Sequence, residues 1–299
     1  MIPADGVGAG CETGYVERAQ VLLVVFAVTG VSWLASRRSY KLPARKAFYG
    51  NVARSFQWIA LMAVFTHAGT LLQYLAVATD RPLVSDALIS FDAALGFHWL
   101  QAYEWVAAHP GLHAMFEFAY ASGSVQLFAI PIILTLTSNS NDYAEFAVQF
   151  IVAVIVSILI AGWLPTESAF LHFDTRDPAT IATVSDYLPL RGGAARELVF
   201  ASAQGLISFP SLHTILALCF AYSLRHVRVA FPVALALNAM MIVSTPTQGG
   251  HYLCDVLAGL VIGVGLIYGV RKWFAVQRAA ARAASGDEVE GGQEGLVNS

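Results

Sequence analysis

Residues 244–273 read STPTQGGHYLCDVLAGLVIGVGLIYGVRKW, and they set the reading of the whole chain. From 252 to 273 the stretch is apolar over the roughly 20 residues that a helix needs to cross the hydrocarbon core of a bilayer. A helix suits that environment because it satisfies its own backbone N–H and C=O groups where lipid cannot. Arg271 and Lys272 close the stretch, while His251 and Asp255 stand at its mouth. Ionisable groups there are costly unless something uses them, so this end of the span is also a candidate site.

The same apolar character runs through the chain. Of its 299 residues 57% are hydrophobic and only 12% charged, with a mean hydropathy of +0.61, the composition of an integral membrane protein. Spans are predicted at 19–36, 54–78, 112–137, 143–164, 209–225, 229–246 and 252–273, which gives an all-α, polytopic bundle of seven transmembrane helices. Glu12 and Glu17 outweigh Arg18 ahead of the first span, and no small-residue cleavage site follows it, so it is expected to be retained and not removed as a signal peptide. The organisation is then an external N-terminal segment over 1–18, a transmembrane domain over 19–275, and a disordered tail over 284–299 with too few apolar groups to offset ordering entropy. No internal repeat and no soluble second domain is visible.

The net charge of −3 hides an asymmetry. Arg37, Arg38, Lys41, Arg45, Lys46 and Arg54 follow the first span, and the preference of basic residues for the cytoplasmic side places them inside. Alternation along seven spans also puts Arg225, Arg228, Arg271, Lys272, Arg278 and Arg282 inside, twelve of the seventeen basic residues in all. The N-terminus and the segments holding His213 and His251 are then external, and the C-terminus is cytoplasmic. The inner membrane of a bacterium is the expected location.

Two external loops result, at about 79–111 and 165–208. The first reads as short amphipathic helices, with Ser85 as a cap before Asp86–Leu95, Gly96 as a stop, and Trp99, Tyr103 and Trp105 suited to an interfacial belt. Cys11, Cys219 and Cys254 are too scattered for a disulfide framework or a zinc site.

His251 and Asp255 are four residues apart, so on a helix they share a face. A carboxylate there can hold one ring nitrogen and leave the other free as base or nucleophile. Gly249 and Gly250, just ahead, allow close backbone approach, and their amides with the positive end of the helix dipole favour an anion. His213 follows Pro210, Ser211 and Leu212 at the start of another span, on the same predicted side of the membrane. One imidazole attacking phosphorus and another protonating the departing oxygen would divide phosphoryl transfer into two steps without a metal. Arg191, with Arg176 and Arg196 as weaker choices, could supply positive donors to the transition state from the second loop. No metal or other cofactor is expected.

With these residues in place, the chain resembles the type-2 phosphatidic acid phosphatase superfamily, in its inositol phosphorylceramide synthase-like branch. The family's Pro-Ser-x-His motif falls on Pro210, Ser211 and His213; its Ser-Arg, five residues, His, three residues, Asp motif falls on Ser244, Thr245, His251 and Asp255. The resemblance implies a six-helix phosphatase-like core with His251 as nucleophile, Asp255 as its orienting acid and His213 as leaving-group acid. Ser211, Gly249, Gly250 and Arg191 are the expected phosphate contacts. Thr245 stands where many members have a phosphate-binding arginine, and no Lys, six residues, Arg-Pro motif lies upstream. Phe209, the Gly-His-Tyr before the final Asp, Asp92–Trp99, His109-Pro110 and Tyr120 through Gln126 follow the style of the synthase-like branch.

The expected partners are membrane lipids bearing a phosphate or phosphodiester, and no nucleic acid; the acceptor, water or an alcohol, and the oligomeric state are left open. The rival reading is a lipid-binding protein or transporter that keeps the fold without the reaction, with Thr245 in its favour. A retinal-type receptor is excluded because Lys41, Lys46 and Lys272 all flank spans. His67, His98, His109, His113, His172 and His226 read as interfacial or hydrogen-bonded residues. Glu117, Ser124 and Gln126 line the site or join a polar helix contact, and Gly259 and Gly263 are read as helix packing.

Overall fold

The computed structural model describes residues 30–31, 33–35, 37, 43–79, 81–137, 140–176, 186–193 and 204–297. No strand occurs among the described residues. The helices are α1 Pro43–Val77, α2 Ser85–Ala94, α3 Trp99–Ala107, α4 Pro110–Leu136, α5 Ser140–Trp163, α6 Ala169–His172, α7 Tyr187–Arg191, α8 Leu212–Ser223, α9 Ala230–Gly249 and α10 Leu253–Val297. Five segments are long and apolar enough to cross a membrane: Arg45–Val77, Pro110–Leu136, Asp142–Trp163, Ala230–Gly249 and Leu253–Ala280. The protein is thus a multi-pass helical membrane bundle. The first predicted span, 19–36, lies mostly outside the described residues, as do 1–18, Cys11, Arg38, Lys41 and Arg196.

Two of the expected span bounds change. α1 begins at Pro43 and not near 54, so Arg45, Lys46 and Arg54 ride on its first turns and do not form a loop. The span expected over 209–225 is a helix of only 12 residues, and Ser211 caps its start, accepting from Thr214 N at 3.3 Å. At 1.5 Å per residue it covers about 18 Å, well short of the hydrocarbon thickness. α10 runs from Leu253 to Val297.

Short as it is, α8 occupies the middle of the bundle, against α4, α5, α9 and α10. Ile130, Leu134, Phe146, Phe150, Phe220 and Met241 form the main core there. The approach of α10 is close: a Cβ on Gly259 would lie 2.8 Å from Ser211 O, and one on Gly263 would lie 2.7 Å from Leu218 Cδ1. Small residues therefore bring the two motif-bearing helices together, as helix association in lipid favours. Beyond the far end of α8, Arg225 pairs with Asp142 at 2.6 Å and Glu145 at 2.9 Å, His226 meets Asp142 at 2.8 Å, and Arg278 reaches Glu145 at 3.5 Å. These pairs tie the start of α5, the α8–α9 turn and α10 at the end opposite His213.

The loop before α4 holds α2 and α3, and Gly96, with φ at +79°, ends the first as predicted. Ser85, by contrast, is not the cap of α2. It is the first helical residue, and its hydroxyl accepts from Glu167 N at 3.3 Å. Trp99 is no interfacial anchor either: it is buried, stacked between Tyr103 and Phe173, and its indole N–H donates to Pro246 O at 2.9 Å. Trp105 remains exposed. α3 is thereby fixed against the end of α9, and with it the ground beneath His251.

Candidate active site

α9 is capped by Gly250, whose φ of +64° lies in the left-handed region. His251 and Tyr252 form the joint to α10, and both side chains are buried. His251 Nδ1 lies 2.9 Å from Ser208 O and 3.2 Å from Asp255 Oδ2. Both partners are acceptors, so the ring proton belongs on Nδ1 and the lone pair on Nε2, which has no hydrogen-bond partner among the described residues. Asp255 is fully buried; its Oδ2 also accepts from Tyr252 N at 2.9 Å and from Ser208 Oγ at 3.2 Å. One carboxylate oxygen thus caps the helix and orients the imidazole at once.

His213 is the second residue of α8, placed by the Ser211 cap. Its ring stacks on Tyr120 of α4, with centroids 4.2 Å apart and planes 24° off parallel, and its Nδ1 is 3.1 Å from the Tyr120 hydroxyl. A Cβ on Gly249 would lie 2.7 Å from both that hydroxyl and His251 Cδ2. Laid end to end, these contacts link the two imidazoles through the Tyr120 hydroxyl and the bare backbone of Gly249. His213, His251 and Asp255 are therefore brought together.

The expected phosphate contacts fare differently. Gly249 borders the rings of His251 and Tyr120, and Gly250 O accepts from Ala169 N at 2.8 Å and Ser168 Oγ at 3.2 Å. The hydroxyl of Ser211 is engaged with Thr214, at 3.3 Å to its N and 3.1 Å to its Oγ1. Arg191 donates to the backbone oxygens of Thr79, at 3.0 Å, and Arg81, and is not joined to the histidines. Thr245 is buried with its hydroxyl turned back onto Met241 O at 2.7 Å. Gln126 joins a polar helix contact, accepting from Asn238 Nδ2 at 2.7 Å, while Glu117 and Ser124 are exposed.

Four contributors had no site role assigned from the sequence, although Asp92 and Tyr120 lie in the segments that carry the resemblance. Ser208, Tyr120 and Asp92 touch the motif residues only through the tertiary fold. Buried Asp92 of α2 accepts from Leu253 N at 2.7 Å, Cys254 N at 2.9 Å and Cys254 Sγ at 2.8 Å. The amides at the start of α10 are consequently held by carboxylates of the protein itself, Asp92 and Asp255. The fourth is a pair: Glu167 accepts from His172 Nδ1 at 3.0 Å beside the Ser168–Gly250 contact. Burial, then the charges of Glu167 and Asp255, push the Tyr252 phenol above its ordinary range, so it stays neutral. The His226–Asp142 contact, by contrast, lies at the far end of the bundle.

A model of the PAP2 superfamily matches residues 86–269, more than half of the chain and both motifs. The chain therefore belongs to the PAP2 superfamily, a membership that goes with phosphatase-type chemistry on lipid phosphates. No curated protein and no solved structure matches it.

Proposed function

We propose that this protein is a membrane phosphatase or phosphotransferase that passes the phosphate of a lipid head group through a phosphohistidine. The observation that carries the reading is the setting of His251: two acceptors on Nδ1, a buried carboxylate behind it, and an Nε2 free of protein partners. In the first step the Nε2 lone pair attacks phosphorus, an N–P bond forms, and the ester P–O bond breaks. The departing oxygen takes a proton from the doubly protonated His213, which is left neutral. In the second step water or an alcohol attacks the phosphohistidine, giving its proton to His213 while the N–P bond breaks and its electron pair returns to Nε2. Asp255 holds the ring and balances the positive charge that develops on it.

If water is the acceptor the product is inorganic phosphate. If a lipid or sugar hydroxyl is the acceptor the protein is a transferase, the form that its resemblance to the inositol phosphorylceramide synthase-like branch favours. Basic-residue placement supports an extracytoplasmic site and a cytoplasmic C-terminus. No metal enters the scheme. The rival, a lipid-binding protein without the reaction, draws on Thr245, whose back-bonded hydroxyl offers a phosphate nothing in place of an arginine.

The test is phosphate release and head-group exchange on a panel of lipid phosphates in liposomes, for the wild type and the variants His251→Ala and His213→Ala. Loss of both activities in both variants is expected. Activity unchanged in both would remove the assignment, and a wild type inert on the whole panel would favour the rival.

A further inference from the structure

We propose that the Tyr120 hydroxyl is a phosphate-binding group of the site, giving its hydrogen to a phosphoryl oxygen while its own oxygen accepts Nδ1–H of the protonated His213; the contact deepens, and rests on, the reaction proposed above.

That reaction lacks donors where the sequence places them. Thr245 turns its hydroxyl onto Met241 O at 2.7 Å, Ser211 is fully buried against Thr214, and Arg191 holds the backbone oxygens of Thr79 and Arg81. The amides of Leu253 and Cys254 at the start of α10 are taken by Asp92. A phosphoryl group in transfer carries its negative charge on oxygens that need donors already in place around them.

Tyr120 stands where such a donor is wanted. Its hydroxyl is 3.1 Å from His213 Nδ1 and has no other hydrogen-bond partner among the described residues. The point where Gly249 lacks a Cβ is 2.7 Å from that hydroxyl and 2.7 Å from His251 Cδ2, so the two atoms are no more than twice that distance apart. Cδ2 is bonded to Nε2, the atom that attacks. A phosphorus drawn to within about 3.5 Å of Nε2 brings its oxygens into the range of a hydroxyl so placed, and the missing side chain at Gly249 keeps the interval open.

The chemistry of the acid sets the direction of the bond. An imidazolium has a hydrogen on each nitrogen and no lone pair, so in the state that protonates the departing oxygen His213 Nδ1 can only donate. The Tyr120 oxygen, which faces it, must then accept. A phenol keeps its own hydrogen at ordinary pH, and here that hydrogen is available to a phosphoryl oxygen. His213 Nε2–H meets the departing oxygen and the phenol meets a non-bridging one, so the pair grips one phosphate at two points. Stacking of the two rings, with centroids 4.2 Å apart, holds these donors in register.

The test reads binding without turnover. The probe is an alkyl phosphonate, in which carbon replaces the ester oxygen so that no transfer can occur. Its dissociation constant is measured by calorimetry on the full chain in detergent micelles, for the wild type and for Tyr120→Phe, which keeps the ring and its stacking; thermal midpoints are recorded without the probe. Losing a hydrogen bond to a charged oxygen should weaken binding about tenfold or more at an unchanged midpoint. Independently of that variant, 3-fluorotyrosine placed at position 120 alone gives a single ¹⁹F resonance, which should move as the phosphonate saturates the site. Binding by Tyr120→Phe within twofold of wild type, a ¹⁹F resonance that stays in place, or a wild type that does not bind the phosphonate would overturn the proposal. Transfer on the lipid panel is scored separately. Tyr120-dependent binding in a chain that transfers nothing would support the contact and sink the reaction, whereas an active wild type whose phosphonate affinity ignores Tyr120 would sink the contact and spare the reaction.

Discussion

Asp92 accepts the backbone N–H of Cys254 at 2.9 Å across 162 residues of chain, and so fastens a surface-loop helix to the start of the helix that carries Asp255. The bond has a companion at Leu253 N, 2.7 Å away, so one carboxylate answers two of the amides that a helix leaves open at its beginning. Asp92→Ala should strand both in a buried position and cost about 2 kcal/mol, read as a lower thermal midpoint in detergent. Asp92→Asn, which keeps an acceptor oxygen, should recover part of that loss; an alanine variant as stable as wild type would show that the cap contributes little.

Asp255→Asn tests orientation separately from stability. The amide can present its NH₂ group toward His251 Nδ1, which would force the proton off that nitrogen and onto Nε2, where the nucleophilic lone pair is needed. The expected loss of kcat is roughly 10²- to 10⁴-fold with the protein still folded. Turnover within a factor of two of wild type would mean that the Ser208 carbonyl alone sets the tautomer.

Gly249 and Gly250 should fail for different reasons when changed to alanine. At 249 the new Cβ would lie 2.7 Å from both His251 Cδ2 and the Tyr120 hydroxyl, so the expected damage is to activity through a displaced ring. At 250 the positive φ and the crowding by Ser168 and Phe170 make the loss one of stability, at least about 1 kcal/mol. Comparing melting curves with turnover for the two variants separates them, and equal effects on both measures would contradict this division.

Arg225 is the joint of the charge cluster at the other end of α8. Removing it with Arg225→Ala leaves Asp142 and Glu145 buried without their main cation, at a cost of about 3 kcal/mol. Adding Asp142→Asn and Glu145→Gln to Arg225→Ala should recover much of it, because the uncompensated charges are gone. Chemical denaturation of the single and triple variants checks this, and a triple variant no better than the single would point to lost packing of Arg225 over Tyr222 instead.

Much of the fold could be read from the chain because burial in lipid demands long apolar runs, and such runs are local. The spans predicted at 112–137, 143–164 and 229–246 match α4, α5 and α9 to within a few residues. The misreadings arose where a tertiary partner outranked local composition. Trp99 has the profile of an interfacial anchor, yet Tyr103, Phe170 and Phe173 bury it. Ser85 has the profile of a cap, yet Glu167 N takes its hydroxyl.

For the site, the sequence by itself determined the pairing of His251 with Asp255, since four residues along one helix start is a local relationship. It also presented His213 as a second imidazole at a span's mouth. Only the packing of α4, α8 and α10 decided which atoms face each ring, because they come from far along the chain: Ser208 O is 43 residues from His251, and the Tyr120 hydroxyl is 93 from His213. Spacing encodes neighbours along a helix; the identity of a donor or acceptor across helices is settled when small residues such as Gly249 and Gly259 let those helices close to contact distance.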